Sequence, residues 1–318
     1  MLDIKKVYQE IDRRYDEIVQ IRRYLHMHPE LSFHETGTAA YIADFYKGKD
    51  VEIVTNIGGG NGIVVTLKGK NPGKTAAVRA DFDALPIQEE NDIEYKSQNP
   101  GVMHACGHDG HTAYLMMLAD ILIGMKEDID GTIKFVHQPA EETPPGGAKT
   151  IMESGILDDV DSIFGIHVMT TAPLGTVGYH SGVTQAGRSY FKVRINGKGG
   201  HGSMPHLSND PIVAASHFVV GVQSIVSRRV NPLETAVVTI GSFDGKGSFN
   251  VINDHVELEG DVRTLSGEVR EQVKEEFETI LDGIMKAYKC TYELIYSHDY
   301  PVLVNNPEMT ELVVNAIK

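Results

Sequence analysis

The chain up to residue 184 alternates between helical and strand-like hydrophobic patterns. Apolar residues recur at helical spacing until Pro29, which is expected to end an amphipathic first helix; they are Ile4, Val7, Ile11, Ile18 and Leu25. A second short helix is predicted over residues 36–46. Strand patterns at 51–55, 62–69, 75–81, 131–138 and 161–168 then alternate with helical patterns at 111–125 and 146–155. We therefore expect an α/β domain, with a mixed sheet and helices on both of its faces.

From residue 185 onward the pattern changes. Strands are predicted at 189–197, 235–243, 250–265 and 291–297, and helices at 210–227 and 268–289. The order β-α-β-β-α-β is that of a ferredoxin-like unit. We expect residues 185–297 to form this unit as an inserted domain, and residues 1–184 together with 298–318 to form the domain around it. A last helix is predicted from residue 305 to the end of the chain.

Composition narrows the classes of function. The chain has 318 residues and a formal net charge of −15, the opposite of the basic surface that binds nucleic acid, so no nucleic-acid partner is expected. It has no uncharged apolar run of about eighteen residues, so no membrane-spanning helix is predicted. Two cysteines, Cys106 and Cys290, cannot form a disulfide framework. Because the charged N-terminus also lacks the apolar stretch of a signal peptide, we expect a cytoplasmic protein.

Residues 103–112, MHACGHDGHT, contain the densest cluster of metal-binding residue types. They are His104, Cys106, His108, Asp109 and His111. A thiolate and an imidazole two residues apart on a loop can face one cation, and a thiolate favours zinc and other transition metals over magnesium or calcium. The alternative is a polar loop in which Asp109 caps the following helix.

A second polar segment, FVHQPAEETPPGGA, leaves a predicted strand and places Glu141 beside Glu142. Adjacent residues of an extended segment point in opposite directions, so one carboxylate could bind a metal while the other faces the water that the metal activates. Alternatively, both acids are favourable charges before a helix that starts at Gly146.

Two further strand ends carry polar residues. His167 closes the strand-like run FGIHV at the end where open sheets present ligands, although a hydrogen-bonded core histidine is the alternative. Asp81 and Asp83 in RADFDALP are two residues apart and therefore share one side of a strand. They could bind a metal directly, start a turn, or orient an imidazole that binds the metal. We prefer the last role.

The motifs of the chain occur in an order that resembles a known superfamily. They are HMHPELSFHE, RADFDALPIQEE, MHACGHDGHT, HQPAEE, PGGA, GIHV, GGHGSMPH, NVI and DVRT. In this order they resemble the metal-dependent aminoacylase and carboxypeptidase superfamily, and specifically its branch of hippurate hydrolases and auxin-conjugate amidohydrolases. Cys106 followed by His108, where other branches use an Asp, marks this branch. The resemblance implies hydrolysis of the amide bond of N-acyl amino acids, such as N-acetyl or N-benzoyl derivatives.

Position by position, the resemblance implies a site for two divalent metal ions, manganese or zinc. Cys106 would bridge the ions, and His108, Glu142 and His167 would be further ligands. Glu141 would be the general base, which takes a proton from the attacking water and returns it to the leaving amine.

The resemblance also implies that the inserted domain is a lid and a dimerisation domain. His201, in the glycine-rich turn GKGGHGSMPH, would reach a neighbouring active site across a homodimer and help to hold the oxyanion. Asn250 and Arg263 match family positions that bind the substrate amide and its free carboxylate, and the planar fork of an arginine suits a carboxylate. A solvated hairpin histidine, a strand-end asparagine and a solvated arginine are the alternatives.

The chain departs from the family pattern at its C-terminus. Family members continue beyond this point, and their remaining segment supplies the last strands of the catalytic domain and a further histidine ligand of the second metal. We therefore expect either a fragment with an incomplete catalytic domain or a degenerate copy, for which a non-catalytic dimeric binding protein is the alternative function. On the intact scaffold, a dipeptidase or carboxypeptidase is the alternative.

Overall fold

The strand patterns between residues 51 and 168 assemble into one mixed sheet. The structure, a computed structural model, describes residues 2–57 and 60–317. The chain divides into two units, residues 1–176 and 177–318. The predicted outer limits of the catalytic domain, Met1 and Lys318, lie outside the described residues. The elements of the first unit are α1 (Ile4–Arg13), α2 (Tyr15–Met27), α3 (Thr36–Phe45), β1 (Glu52–Ile57), β2 (Gly62–Lys68), β3 (Asn71–Asp81), α4 (His108–Gly124), β4 (Asp130–Gln138), α5 (Gly147–Glu153) and β5 (Ser162–Gly165).

Helices cover both faces of the first sheet. Its order is β1-β2-β4-β3-β5, with β3 parallel to β4 and β5, whereas β1, β2 and β4 pair antiparallel. Side chains alternate between the two faces along a strand. In β2, Ile63 and Val65 pack with helices α1 to α4 on one face, while Val64 packs with Ile151 of α5 on the other. The predicted mixed α/β sheet with helices is confirmed.

The first amphipathic pattern forms two helices, so the prediction of one continuous helix was wrong. At Arg14 the backbone leaves the helical conformation, with φ −106° and ψ 15°. The Arg14 guanidinium donates hydrogen bonds to Glu17 at 2.7 Å and to Asp120 of α4 at 2.8 Å. The contact with α4 comes from a distant part of the chain, and a local hydrophobic pattern does not contain it.

Two other boundaries lie at the edge of the sheet that carries the predicted ligands. Helix α4 begins at His108, three residues before its predicted start. Gly107 precedes it with φ +84°, and a Cβ there would lie 2.4 Å from the Val168 side chain, so glycine is required. Strand β5 ends at Gly165, so His167 follows the strand and does not close it as predicted.

The second unit contains the predicted ferredoxin-like arrangement. Its elements are β6 (Gly182–Gln185), β7 (Gly187–Asn196), β8 (Gly200–His201), α6 (Pro211–Val222), β9 (Ala236–Asp244), β10 (Val251–Ile252), β11 (His255–Thr264), α7 (Gly267–Tyr288), β12 (Thr291–Tyr300), β13 (Leu303–Asn305) and α8 (Pro307–Ile317). The main sheet has the order β12-β7-β11-β9, and all of its pairs are antiparallel. The strand predicted over 250–265 is divided into β10 and β11.

Local signals explain both helices that pack on this sheet. Asp210 caps α6 by accepting hydrogen bonds from the amides of Ile212 and Val213, and Ser266 caps α7 in the same way from Val269. The buried residues of α7 recur every four positions and form one face; they are Val269, Val273, Phe277, Leu281 and Met285. This face packs into the core of the second unit.

The chain enters and leaves the ferredoxin-like segment at neighbouring strands. β6 precedes this segment, β13 follows it, and the two strands pair antiparallel. Adjacent entry and exit points are what an inserted domain requires, although the predicted boundaries at residues 184 and 297 stay a prediction. Among the described residues, no helix has the length and apolarity that crossing a bilayer requires.

Candidate metal centre

The candidate site lies at the edge of the first sheet where β3 and β4 end. These strands are parallel, so their carboxyl ends meet at one edge, the place where open α/β sheets bind ligands. β3 ends at Asp81, and the chain after β4 carries Glu141 and Glu142. Helix α4 starts beside them, with His108 Nε2 3.7 Å from Asp81 Oδ2 and 3.8 Å from Glu142 Oε1.

His108 presents one free ring nitrogen to this edge. Its Nδ1 lies 2.9 Å from the backbone carbonyl oxygen of Asp83 and 3.2 Å from Asp83 Oδ1, so Nδ1 carries the proton and donates it. Its Nε2 is buried and has no hydrogen-bond partner among the described residues. Burial opposes the charged form, but the bond to Asp83 and the charges of Asp81, Asp83 and Glu142 outweigh it and raise the pKa of His108 to about 9.

Cys106 and His167 lie side by side at the same place. His167 Nδ1 donates to the carbonyl of Val168 at 2.6 Å, so Nε2 carries the lone pair and accepts a hydrogen bond from the Cys106 thiol, whose Sγ is 3.3 Å away. Burial, and then the negative charges of Glu142 and Glu141, raise the pKa of the Cys106 thiol to about 12. A cation that binds here would therefore displace the thiol proton.

The two adjacent glutamates complete the group. The Glu142 amide donates to Asp83 Oδ2 at 3.0 Å, and its buried carboxylate oxygen Oε1 has no hydrogen-bond partner among the described residues. Burial and the charges of Glu142 and Asp81 raise the pKa of Glu141. One ligand atom each from His108, Glu141 and Glu142 lie within 4.8 Å of one another.

These residues fit a divalent metal. Cys106, His108 and His167 also offer ligand atoms that all lie within 4.8 Å of one another, so His108 belongs to both groups. Its Nε2 and the Glu142 Oε1 are buried polar atoms without a hydrogen-bond partner in the part of the chain that the structure describes, which is costly unless a cation or a water satisfies them. Thiolate, imidazole and carboxylate are the ligand types of zinc and other transition metals. The geometry thus brings together every predicted ligand and the predicted base.

The carboxylate of Asp83 accepts hydrogen bonds from three groups around the site. Besides orienting His108, its carboxylate accepts hydrogen bonds from Ser32 Oγ at 2.7 Å and from the Glu142 amide at 3.0 Å. Asp83 is 1% exposed, so these bonds satisfy a buried charge. The supporting role preferred from the sequence matches these contacts.

His111 has a structural function that the sequence did not assign. Its Nδ1 donates to Asp81 Oδ1 at 2.6 Å, and its Nε2 accepts from the Val168 amide at 2.9 Å. Both nitrogens are therefore engaged, and the ring fixes the backbone next to His167. The sequence feature that could have indicated this function is the spacing of the two histidines. His111 is three residues after His108 and so lies on the same helix face.

The two remaining residues of the segment 103–112, His104 and Asp109, belong to none of the candidate metal groups found among the described residues. His104 is 4% exposed, and burial lowers its pKa to about 4. Asp109 lies in the first turn of α4, where it accepts hydrogen bonds from His26 at 2.7 Å and Arg22 at 2.8 Å. The alternative that Asp109 caps α4 was wrong, because Gly107 occupies the cap position and no side chain caps the helix.

The predicted substrate-binding residues belong to the second unit, at two ends of its sheet region. His201 in β8 pairs with Val251 of β10, and the Gly202 amide donates to the Asn250 carbonyl at 2.9 Å, so His201 and Asn250 are neighbours. Arg263 lies eight residues along β11 from His255, about 27 Å at the usual rise per residue. Its guanidinium pairs with Asp261 at 2.5 Å. These contacts do not test the substrate roles, which stay predictions.

Comparisons with known proteins agree in one family. A model of peptidase family M20/M25/M40 matches residues 77–318. The N-acyl-L-amino acid amidohydrolase of Geobacillus stearothermophilus is 41% identical over 307 residues, which cover 94% of this chain and 82% of that protein. Thermostable carboxypeptidase 2 of Saccharolobus solfataricus is 38% identical over 316 residues, which cover 99% of this chain and 80% of that protein.

One similar solved structure is described as that of a metal-binding protein. The Bacillus subtilis YXEP protein, described as a dinuclear metal binding peptidase from the M20 family, is 34% identical and superposes with a TM-score of 0.80. The alignment covers 96% of this chain and 80% of that chain. The region that the family model matches contains all the donors of the candidate metal centre.

Proposed function

This chain belongs to peptidase family M20/M25/M40, and from that premise we propose that it is a metal-dependent amidohydrolase that cleaves the amide bond of N-acyl amino acids. The family resemblance of the sequence motifs is thereby confirmed. The single observation that carries the proposal is a pair of buried atoms, His108 Nε2 and Glu142 Oε1, which lie 3.8 Å apart beside Glu141 and have no hydrogen-bond partner among residues 2–57 and 60–317.

The residues of the site have different proposed roles, metal binding and proton transfer. Cys106, His108, Glu142 and His167 would hold two divalent cations, manganese or zinc. When bound, such cations lower the pKa of a water molecule and polarise the scissile carbonyl. The chain itself supplies the proton transfers.

Glu141 is the proposed general base. Its carboxylate accepts the proton of the attacking water and returns it to the nitrogen of the leaving amino acid. Burial and neighbouring charges raise the pKa of Glu141, which favours a group that must both take and release a proton near neutral pH. The adjacent Glu142, whose Oε1 lies 3.8 Å from His108 Nε2, is proposed as a metal ligand, so the two carboxylates have separate tasks.

The second unit supplies the proposed substrate contacts. Residues 185–297 form a lid and dimerisation domain in this proposal, and residues 1–184 with 298–318 form the catalytic domain. His201 and the neighbouring Asn250 contact the oxyanion and the amide of a substrate bound to a neighbouring subunit in a homodimer. Arg263, about 27 Å from them along the sheet, binds the free carboxylate of a different substrate molecule. Neither Cys106 nor Cys290 forms a disulfide, which supports a location in the reducing cytoplasm.

A substrate panel tests the proposal. The chain is stripped with a chelator, reloaded with Mn²⁺ or Zn²⁺, and assayed for release of free amine from N-acetyl and N-benzoyl amino acids and from dipeptides. The proposal expects metal-dependent turnover of the N-acyl substrates. Absence of turnover together with absence of bound metal would contradict it and favour the non-catalytic binding protein.

A peptidase function is the second candidate, because thermostable carboxypeptidase 2 covers 99% of this chain at 38% identity. Faster turnover of dipeptides than of N-acyl amino acids would favour it.

Two cysteine variants test the metal site under either function. Cys106→Ser should reduce bound metal, whereas Cys290→Ser, in the core of the second unit, should not.

A further inference from the structure

Ala140, the residue before the proposed base, has an unusual backbone conformation. Its φ is +48°, in the left-handed region that favours glycine. For a residue with a Cβ this conformation is disfavoured by a factor of ~5–30 in an equilibrium constant. It therefore persists only where neighbouring groups hold it. Because Glu141 and Glu142 follow directly, the direction in which their side chains leave the backbone depends on this residue.

One buried carboxylate holds the amide of Ala140. Glu35 Oε1 accepts a hydrogen bond from the Ala140 N–H at 2.7 Å, across 105 positions of the sequence. Its second oxygen accepts from Asn61 Nδ2 at 2.9 Å. On its other side, Ala140 accepts a hydrogen bond at its carbonyl from the Gly147 amide at 3.2 Å. Both polar groups of the strained residue are therefore fixed.

The burial of Glu35 requires an explanation. Glu35 is 0% exposed, and its carboxylate accepts hydrogen bonds from the neutral groups of Asn61 and Ala140. A carboxylate in such a place costs free energy that a glutamine or an apolar residue would not. This cost is offset where the carboxylate holds the amide of the strained Ala140.

We propose that Glu35 is a positioning residue of the hydrolytic site, whose carboxylate holds Ala140 in the left-handed conformation that directs Glu141 and Glu142 toward His108. The proposal rests on the proposed function, because it assumes that these two glutamates are the base and a metal ligand. Glu35 itself touches neither substrate nor metal in this role. It acts through the backbone of Ala140.

Removal of the carboxylate should affect chemistry and metal binding together. In Glu35→Ala the Ala140 amide loses its acceptor, and the residue can return to an ordinary φ, which reorients the peptide before Glu141. Loss of an outer partner of a metal site typically costs ~10–100-fold in affinity or activity. We expect a fall of that size in kcat, with a smaller change in KM. Glu35→Gln keeps an oxygen acceptor for the amide and should retain most of the activity.

A second substitution tests the strain directly. Glycine adopts a positive φ without the penalty that alanine meets. In an Ala140→Gly background, Glu35→Ala should therefore cost less, by up to the same factor of ~5–30. Equal losses in the two backgrounds would overturn the argument from strain.

Glu30 provides a matched control from the same segment. Its carboxylate also accepts hydrogen bonds from backbone amides, those of Gly37 at 3.1 Å and Thr38 at 2.7 Å, but these lie at the start of α3. Glu30→Ala should lower stability without the change in kcat. An equal fall in kcat for Glu30→Ala and Glu35→Ala would show a general loss of folding and overturn the proposal.

A readout that needs no turnover separates this proposal from the proposed function. Hydrogen exchange of the Ala140 amide should become faster in Glu35→Ala and remain slow in Glu35→Gln and Glu30→Ala. If the unmodified chain neither binds Mn²⁺ or Zn²⁺ nor hydrolyses any substrate, the proposed function fails, while the exchange result still decides the role of Glu35. Unchanged exchange in Glu35→Ala would overturn that role.

Discussion

Asp83→Ala should destabilise the chain and weaken its metal site at the same time. The Asp83 carboxylate accepts hydrogen bonds from Ser32 Oγ, from the Glu142 amide and from His108 Nδ1, at 2.7, 3.0 and 3.2 Å. His108 Nδ1 keeps the backbone carbonyl of residue 83 as an acceptor, at 2.9 Å. Two donors, those of Ser32 and Glu142, are therefore left without a partner.

The magnitude follows from these two donors. A buried donor that loses its partner costs about 1–3 kcal/mol, so we expect Asp83→Ala to lower the free energy of unfolding by roughly 2–6 kcal/mol. A natural domain has only about 5–15 kcal/mol in total. Because the Glu142 backbone and the His108 ring also lose their orientation, metal affinity should fall ~10–100-fold.

Urea denaturation of the metal-free chain measures the first effect, and titration calorimetry with Mn²⁺ or Zn²⁺ measures the second. Ser32→Ala is the matched control, since it removes one hydrogen bond to the same carboxylate and leaves Glu142 and His108 in place; it should cost about 1 kcal/mol and leave metal affinity unchanged. If Asp83→Ala behaved like Ser32→Ala in both assays, the reasoning would be refuted.

Three further predictions concern pH, metal removal and His111. Burial lowers the pKa of His137 to about 3 in the folded chain, against 6.5 normally. Between these two values only the unfolded chain binds the proton, so the free energy of unfolding falls as the pH drops below about 6.5. In urea titrations His137→Gln should reduce this pH dependence by up to ~1.4 kcal/mol per pH unit; the same pH dependence in the variant and the unmodified chain would contradict this. Removal of metal by a chelator should lower the melting temperature reversibly, since an ion present at 100 times its Kd contributes about 2.7 kcal/mol; a chelator without effect would count against a metal that binds the folded state. His111→Ala frees the Val168 amide next to His167 and should weaken metal binding ~10–100-fold, whereas an unchanged Kd would show that His111 has no such role.

Local signals in the sequence predicted most elements and the candidate donors. The hydrophobic alternation of β2 separates Ile63 from Val64 onto opposite faces, and the structure has them in two different core clusters. The same reasoning placed Asp81 and Asp83 on one side, where both carboxylates meet the ring of His108. Patterns with a period of two or of 3.6 residues contain this information because they are local.

Contacts between distant segments could not be predicted in this way. The first helix is interrupted at Arg14, whose partner Asp120 is 106 residues away. Glu35 and Ala140 are 105 residues apart, and the amide of Ala140 carries no side-chain signal. His167 was expected to close a strand, but β5 ends at Gly165, and the position of the ring depends on His111 through the Val168 amide. Such contacts depend on how the elements pack.

The substitution Glu141→Gln shows whether Glu141 is the base of a hydrolytic metal centre. Bound metal and turnover of an N-acyl amino acid are measured on the same preparation, with Glu142→Gln as the matched variant. We expect Glu141→Gln to keep its metal and to lose ~10²–10⁴-fold in kcat, whereas Glu142→Gln should lose metal. Full activity in Glu141→Gln, with metal bound, would show that Glu141 is not the base.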